Sequence, residues 1–539
     1  MVAGVKRARY CADARVTSLV PSLPFGLCAL VTVSSLVLGG GTHSGFLSDA
    51  ILQLLSIPPL LVSLWQLLRA QPGERRENSS LKWGLAFCAA LVAIPLLQLV
   101  PLPPAVWTAL PNRQGVAEAL ELVGGDLPWM PISVSPEGTW LSAVSLIPAV
   151  AVFLNTQLLS YAERRLMSLV VLSIGVVGAF LGLLQVAQGP SSSLRFFAFT
   201  NLTEAVGFFA NRNHFSALLY SLILLATCWA TDAVFRVRAS WNRRAHDATA
   251  AAAVVVGVAV IIVLLSAQAM ARSRAGLALT IIALIGAFAL ASTYWRMMSR
   301  GTAKLLVGAA ALIFLVISEF TLYRIMERFA TDPLADSRIT FARNTLAAAL
   351  EYMPFGSGMG SFVPVYGMYE RPGDTMMNAF ANHAHNDILE VGLEAGIFGI
   401  SLMGVFALWM AKRSAEIWRS PHLGPRNIDL WLARAATIIV LLLSIHSFVD
   451  YPLRTAAVQA IMAFVCGLLA PAEPETASLP HEDAGKQVAE TRRRAAPVRA
   501  GAVPPAGRMP AGGPSQETGG QLWGENIRWP EAWRKGPQG

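Results

Sequence analysis

Twelve stretches of this 539-residue chain are apolar over lengths that match a bilayer. A hydrocarbon core is crossed by about 20 residues of helix, so these stretches leave little choice of fold. They run over about 16–38, 47–69, 83–103, 139–160, 166–188, 214–232, 249–270, 275–295, 304–320, 388–411, 430–449 and 455–471. The third ends in a proline-rich stretch (Pro101, Pro103, Pro104). Composition agrees: 54% of residues are hydrophobic, 14% are charged, and the mean hydropathy is +0.51. A soluble globule carries roughly a quarter charged residues. The expected fold is an all-α integral membrane protein of about 12 transmembrane helices.

Lysine and arginine in short loops set the orientation of such a chain. With the N-terminus inside, the cytoplasmic segments hold dense clusters. Examples are Lys6, Arg7, Arg9 and Arg15; Arg236, Arg238, Arg243 and Arg244; and Lys412, Arg413, Arg419, Arg426 and Arg434. The short outside loops hold only Arg113, Arg195, Arg212, Arg272, Arg274 and Arg454. Both termini are therefore expected in the cytoplasm. The net charge of +9 is mostly topogenic and does not point to nucleic acid. The first span reads as a retained anchor rather than a cleaved signal. The five cysteines show no ligand spacing, so neither a disulfide framework nor a zinc site is indicated. The expected organisation is a cytoplasmic N-terminus (1–15), a membrane domain (16–471) and a disordered cytoplasmic tail (472–539) rich in Pro, Gly and Ala.

The outside face carries the unusual residues. Residues 321–387 form a long outside loop between spans nine and ten, and such loops usually have a purpose. Its glycine-rich turn, PFGSGMGSF, is no phosphate-binding P-loop, because no GK[ST] follows. Asp332 and Asp336 lack the clustered carboxylates of a divalent-metal site. Five of the eight histidines (His43, His214, His383, His385, His446) lie outside or at the outer edge. Four outer helix ends carry polar and basic groups. ANRNHFSALL holds Arg212, Asn213 and His214. ARSRAGLAL holds Arg272 and Arg274. NHAHNDILE holds His383, His385, Asn386 and Asp387. HSFVDYPLR holds His446, Asp450 and Arg454. Each has a plain reading as well: Arg212 as a snorkelling or capping residue, His385 as part of a helix cap. Together they describe a cationic cleft. Arginine forks match phosphate oxygens bidentately, and helix N-termini favour anions, so a membrane-bound diphosphate is the natural ligand. A neutral histidine there can take a proton from a hydroxyl. Gly392, Gly396 and Gly399 have the spacing that allows close helix packing. Glu390 and Glu394 share one helix face and require a cavity or a partner.

These motifs occur in a familiar order: GFFANRNHFSALL, ARSRAGLAL, DSRITFARNTLAAALEYMPFGSGMGSF, HAHNDILEVGLEAGIFG and HSFVDYPLR. Together they resemble the O-antigen ligase and polymerase family of bacterial envelope glycosyltransferases, over about residues 200–470. The strongest match is His385-Asn386 with nine residues before Gly396. The resemblance implies a GT-C-like enzyme of the bacterial inner (cytoplasmic) membrane. Such an enzyme works at the periplasmic face, without metal or other cofactor. It moves a glycan from an undecaprenyl-diphosphate donor to lipid A–core (ligase) or to another lipid-linked glycan (polymerase). Carried over by motif, His385 is the base that activates the acceptor hydroxyl, Arg212 and Arg274 grip the donor diphosphate, and Arg338 is a further contact.

A transporter of an anion or a lipid-linked sugar is the competing reading, since twelve spans suit one. It would show repeated halves and broken helices with polar groups at mid-membrane. Here no repeat is visible, and the polar groups gather at outer helix ends.

Overall fold

The computed structural model describes residues 22–42, 47–69, 79–124, 126–242, 247–292, 334–374, 380–421, 423 and 426–471. Among them the regular structure is helical, with a single isolated bridge between Leu102 and Met130. The helices are α1 (Leu23–Leu38), α2 (Leu47–Arg69), α3 (Ser79–Gln98), α4 (Pro104–Trp107), α5 (Gln114–Val123), α6 (Pro136–Ser145), α7 (Ile147–Leu158) and α8 (Tyr161–Gln188). They continue with α9 (Arg212–Asn242), α10 (Ala248–Ala271), α11 (Arg274–Ser292), α12 (Leu334–Tyr352), α13 (Phe362–Tyr369), α14 (Asp387–Arg419), α15 (Asn427–His446) and α16 (Ala456–Leu469).

Eleven of the twelve expected spans fall on these helices. The ninth, 304–320, lies outside the described residues, as do the expected N-terminal segment and tail. Among the described residues, eight spans are long and apolar enough to cross a membrane, with α6 and α7 together making one, and three shorter apolar helices accompany them. The chain is thus an α-helical, multi-pass membrane protein. The third span stops at Gln98 rather than 103, because prolines 101, 103 and 104 cannot donate to a continuing helix. The fourth is two helices, broken at Leu146 just before Pro148.

Two helices lie at the centre. On α9, Phe215, Leu219, Tyr220 and Leu222 are fully buried; on α15, so are Ala435, Ile439, Leu442 and Leu443. By contrast α10 shows Val255 and Val256 to the surroundings. Between helices in lipid, packing depends on close approach rather than on expelling water. Helix α8 provides for this with Gly175, Gly178 and Gly182, one face of small residues. A Cβ on Gly178 would meet Phe208 at 3.3 Å, and one on Gly182 would meet Phe215 at 3.1 Å.

Helix α14 is interrupted. Gly396 sits at φ 57°, ψ −144°, a conformation closed to residues with a side chain, so the helix stops and restarts there. The freed backbone groups are taken up by the glycine-rich turn. Ser357 N–H donates to the Leu393 carbonyl at 2.8 Å, and Gly358 N–H to that of Glu394 at 2.9 Å. Ile397 N–H donates to the Pro354 carbonyl at 2.9 Å. Gly356, Gly358 and Gly360 all have positive φ, which lets the turn enter the break. The expectation that Gly392, Gly396 and Gly399 form a packing face is therefore corrected. Gly396 makes the break, and the atoms nearest a Cβ on Gly399 belong to Val391 and Ala395 of its own helix.

A second small core holds the described part of the long loop. Phe341 and Tyr352 of α12, Phe362, Val365 and Tyr366 of α13, Ala384 and Leu393 bury against one another. This core fixes α12 over the start of α14, where the polar residues collect.

Candidate functional site

His385 lies in the turn that feeds α14. Its φ is 51°, a left-handed conformation that costs a residue with a side chain about 1 kcal/mol or more. The next residue secures the turn. Asn386 caps α14 by accepting from the N–H groups of Ile388 (3.0 Å) and Leu389 (3.1 Å), and its own amide donates to the Phe448 carbonyl at 2.9 Å. The imidazole lies between two rings. Phe341 stacks on it at 5.8 Å, and Tyr451 meets it edge-on at 4.9 Å. Its Nδ1 is 3.0 Å from Asp450 Oδ1. The side chain keeps 21% of its surface exposed.

Asp450 is the hub. Its fully buried carboxylate meets His385 Nδ1, the Asn213 side-chain amide, its neighbour Tyr451 N–H at 3.0 Å, and Arg338 at 3.9 Å. Burial alone would raise its pKa. The hydrogen bond and charge of His385, with His214 and Arg338, hold it well below the usual carboxylate range. An ionised carboxylate only accepts, so Nδ1 carries the proton in this pair. In the neutral ring Nε2 then keeps a lone pair, as a general base requires.

Beneath lies a second charged group. Three acids of α14 meet Arg454, which sits in the 3-10 turn Pro452–Arg454: Glu394 at 2.8 Å, Asp387 at 3.4 Å and Glu390 at 3.5 Å. Burial would lower the pKa of Arg454, but the three carboxylates hold it above its usual value. Asp387 also accepts from Ser447 Oγ at 2.8 Å. Glu390 accepts from the Ala384 N–H at 2.8 Å and meets His383 Nδ1 at 2.7 Å. The partner required by Glu390 and Glu394 is therefore Arg454, about 60 residues further along the chain.

The remaining candidates divide. His214 and His446 are fully buried, so they form the floor of the site rather than its surface. His214 meets the Tyr451 ring edge-on at 4.8 Å, and His446 Nδ1 is 3.2 Å from the Tyr220 hydroxyl. Arg212 opens α9 but turns to Glu204, at 2.6 Å. Arg274 opens α11, and the two helix starts adjoin: a Cβ on Gly276 would collide with Ser216. His43 lies outside the described residues. The start of α9, the start of α14 and the α15–α16 connection are thus joined directly through Asp450, Asn213 and Asn386. Arg212 and Arg274 stand on the adjoining helix starts. Sequence reasoning passed over Tyr451, on which three imidazoles pack, and Glu204. Tyr451 lies inside the quoted HSFVDYPLR, but an aromatic residue before proline carries no chemical signal of its own.

Residues 250–404 match the family model described as O-Antigen ligase. The matched stretch takes in Arg272, Arg274, Arg338, the glycine-rich turn, His385 and the α14 break. No curated protein matches the chain.

Proposed function

We propose that this chain, which carries an O-antigen ligase domain, transfers a glycan from an undecaprenyl-diphosphate donor to an acceptor hydroxyl at the periplasmic face of the bacterial inner membrane. The acceptor is lipid A–core for a ligase, or another lipid-linked glycan for a polymerase. The observation that carries the reading is the His385–Asp450 pair, whose geometry leaves Nε2 open as a base.

In the reaction, the acceptor O–H gives its proton to His385 Nε2. The oxygen attacks the anomeric carbon, and the bond to the lipid diphosphate breaks with its electron pair leaving on phosphate. Asp450 stabilises the imidazolium that forms. Arg212, Arg274 and Arg338 meet the charge growing on the diphosphate, and preorganised charge of this kind is usually the largest catalytic contribution. Arg212 must exchange or share Glu204 to do so. A base on the acceptor side displaces the leaving group from the opposite face, so the product linkage is inverted; a retained anomeric configuration refutes this mechanism.

The interrupted α14 is a feature that suits a transporter. Its freed carbonyls, however, are bonded to the glycine-rich turn, and the titratable groups stay at helix ends.

The test is genetic. The gene is deleted in its host and restored as wild type or as His385→Ala, and extracted glycans are run on a gel. Long lipid-linked chains that fail to reach lipid A–core, without rescue by expressed His385→Ala, establish a ligase. Loss of long chains with single repeats remaining establishes a polymerase. Full rescue by His385→Ala rejects the reading.

A further inference from the structure

Two imidazole–carboxylate pairs stand on the same tyrosine. His385 with Asp450 meets Tyr451 at 4.9 Å between ring centroids, and His383 with Glu390 meets it at 4.2 Å. The mechanism above uses only the first. The second is built with equal care. Glu390 holds His383 Nδ1 with one oxygen (2.7 Å) and the Ala384 N–H with the other (2.8 Å), which fixes both the ring and the backbone leading to His385. The His383 side chain keeps 20% of its surface exposed, so the ring reaches the edge of the site.

We propose that His383 is the second working imidazole: with Nδ1 held by Glu390, it presents Nε2–H to the diphosphate of the departing lipid carrier. This rests on the diphosphate-donor reading given above.

Charge favours a cationic ring here. His383 touches Glu390 directly, and Glu390 stands in a cluster of three acids that share the single guanidinium of Arg454. The other groups facing His383 are His385, His214 and Tyr451. Burial alone would lower the His383 pKa; Glu390, and Glu394 behind it, more than offset this and the opposing Arg454, so the ring is held above its usual range. Positions two residues apart lie within about 7 Å along the chain. The two rings can therefore act on neighbouring atoms of one substrate. His385 receives the acceptor proton as the new C–O bond forms. The C1–O–phosphate bond breaks, its electron pair stays on the lipid diphosphate, and His383 Nε2–H hydrogen-bonds that new charge. The proton on His385 then passes to water, and His383 keeps its own.

Farnesyl diphosphate, a soluble lipid diphosphate, is the probe. Its binding to the full chain in nanodiscs is measured by calorimetry across the imidazole pH range, for wild type, His383→Gln, Glu390→Gln and His385→Ala. Binding to wild type should tighten as pH falls and the imidazolium forms. His383→Gln should lose about tenfold at the low-pH end, the scale of one charge-assisted hydrogen bond, and lose the part of the pH rise due to the protein. Glu390→Gln should move that rise to lower pH, and His385→Ala should keep it. His383→Asn, which retains a donor for Glu390, replaces His383→Gln if the latter does not fold. Equal binding by wild type and the His383 variants at every pH overturns the proposal and leaves the donor reading standing. Failure of wild type to bind at any pH overturns the donor reading, and this proposal with it.

Discussion

The two ends of the helix bundle treat buried charge differently. At the end away from His385, several buried arginines are spent on backbone carbonyls or on an acidic partner. Arg164 donates to the carbonyls of Leu159 (3.1 Å) and Ala470 (2.6 Å). Arg413 donates to the Leu469 carbonyl at 2.5 Å, and Arg165 grips Asp429 at 2.9 and 3.0 Å. Arg164 and Arg413 close the ends of α7 and α16, Arg165 ties α8 to the start of α15, and the work is structural. At the His385 end, three carboxylates share the guanidinium of Arg454, and two imidazoles stay partly exposed with one nitrogen held and the other open. Charge that is fully matched holds a fold together; charge with an open valence can act on a substrate.

This contrast can be broken or sharpened by experiment. The largest effect is expected at Arg454, whose loss strands three buried carboxylates. Arg454→Ala should cost about 3–5 kcal/mol, the scale of a broken buried ion pair, seen as a large drop in the thermal midpoint of the detergent-solubilised protein. A melt unchanged within a degree or two would show the acids to be solvated. Next, Asp450→Asn should preserve packing but reduce transfer on the order of 100-fold, about 2.7 kcal/mol of barrier, in a glycan assay normalised to folded protein. Arg165→Gln at the other end should lower folded yield and leave transfer per folded molecule unchanged; equal loss in both would erase the distinction between the ends. Third, Gly396→Ala puts a Cβ against the Pro354 carbonyl at a φ of 57°, and should destabilise by about 1–3 kcal/mol in the same melt. A neutral result would mean that α14 can close its break.

The smallest effects are in pH, and the two imidazole pairs give opposite signs. Asp450 has a depressed pKa, so its contribution to stability is present above the ordinary carboxylate value of about 3.9 and is lost as pH falls through the depressed one. His383 has a raised pKa, so its contribution is complete below the ordinary imidazole value of about 6.5 and is lost as pH rises through the raised one. The deficit of Glu390→Gln relative to wild type should therefore shrink on going alkaline. That of Asp450→Asn should hold through neutral pH and shrink only in acid. Parallel slopes in the two melting series would show that the pairs titrate as one unit.

Much of this was legible in the sequence, for a physical reason. Backbone groups in lipid must be satisfied within the segment, so an apolar run of the right length has one outcome, and eleven expected spans fall on helices. His385 and Asp450 were legible as residue types gathered at helix ends. Their pairing was not, because it joins positions 65 apart through a packing arrangement that no local pattern encodes. Glu390 and Glu394 called for a cavity or a partner, and the sequence did not say which. Gly396 resembled a packing glycine because spacing on a helix cannot reveal that the helix stops there. The glycine-rich turn carries no P-loop signature, and its insertion into α14 depends on a break invisible until the fold is known. The ion pair of Arg212 with Glu204 was not legible, because Glu204, eight residues earlier, lies in a loop whose path the sequence leaves undefined.

The Arg454 cluster also constrains how the protein is made. Asp387, Glu390 and Glu394 leave the ribosome some 60 residues before their counter-ion. The glycine-rich turn that completes α14 precedes them, but the guanidinium that neutralises them arrives only with the last helical hairpin. Until then the first turns of α14 have every electrostatic reason to wait at the water boundary while Ile397–Arg419 enters the lipid, and Gly396 supplies the joint at which the two halves can part. The turn before α16 thus supplies what seats α14, and a chain cut short before Arg454 would reach the membrane with three acids lacking their counter-ion.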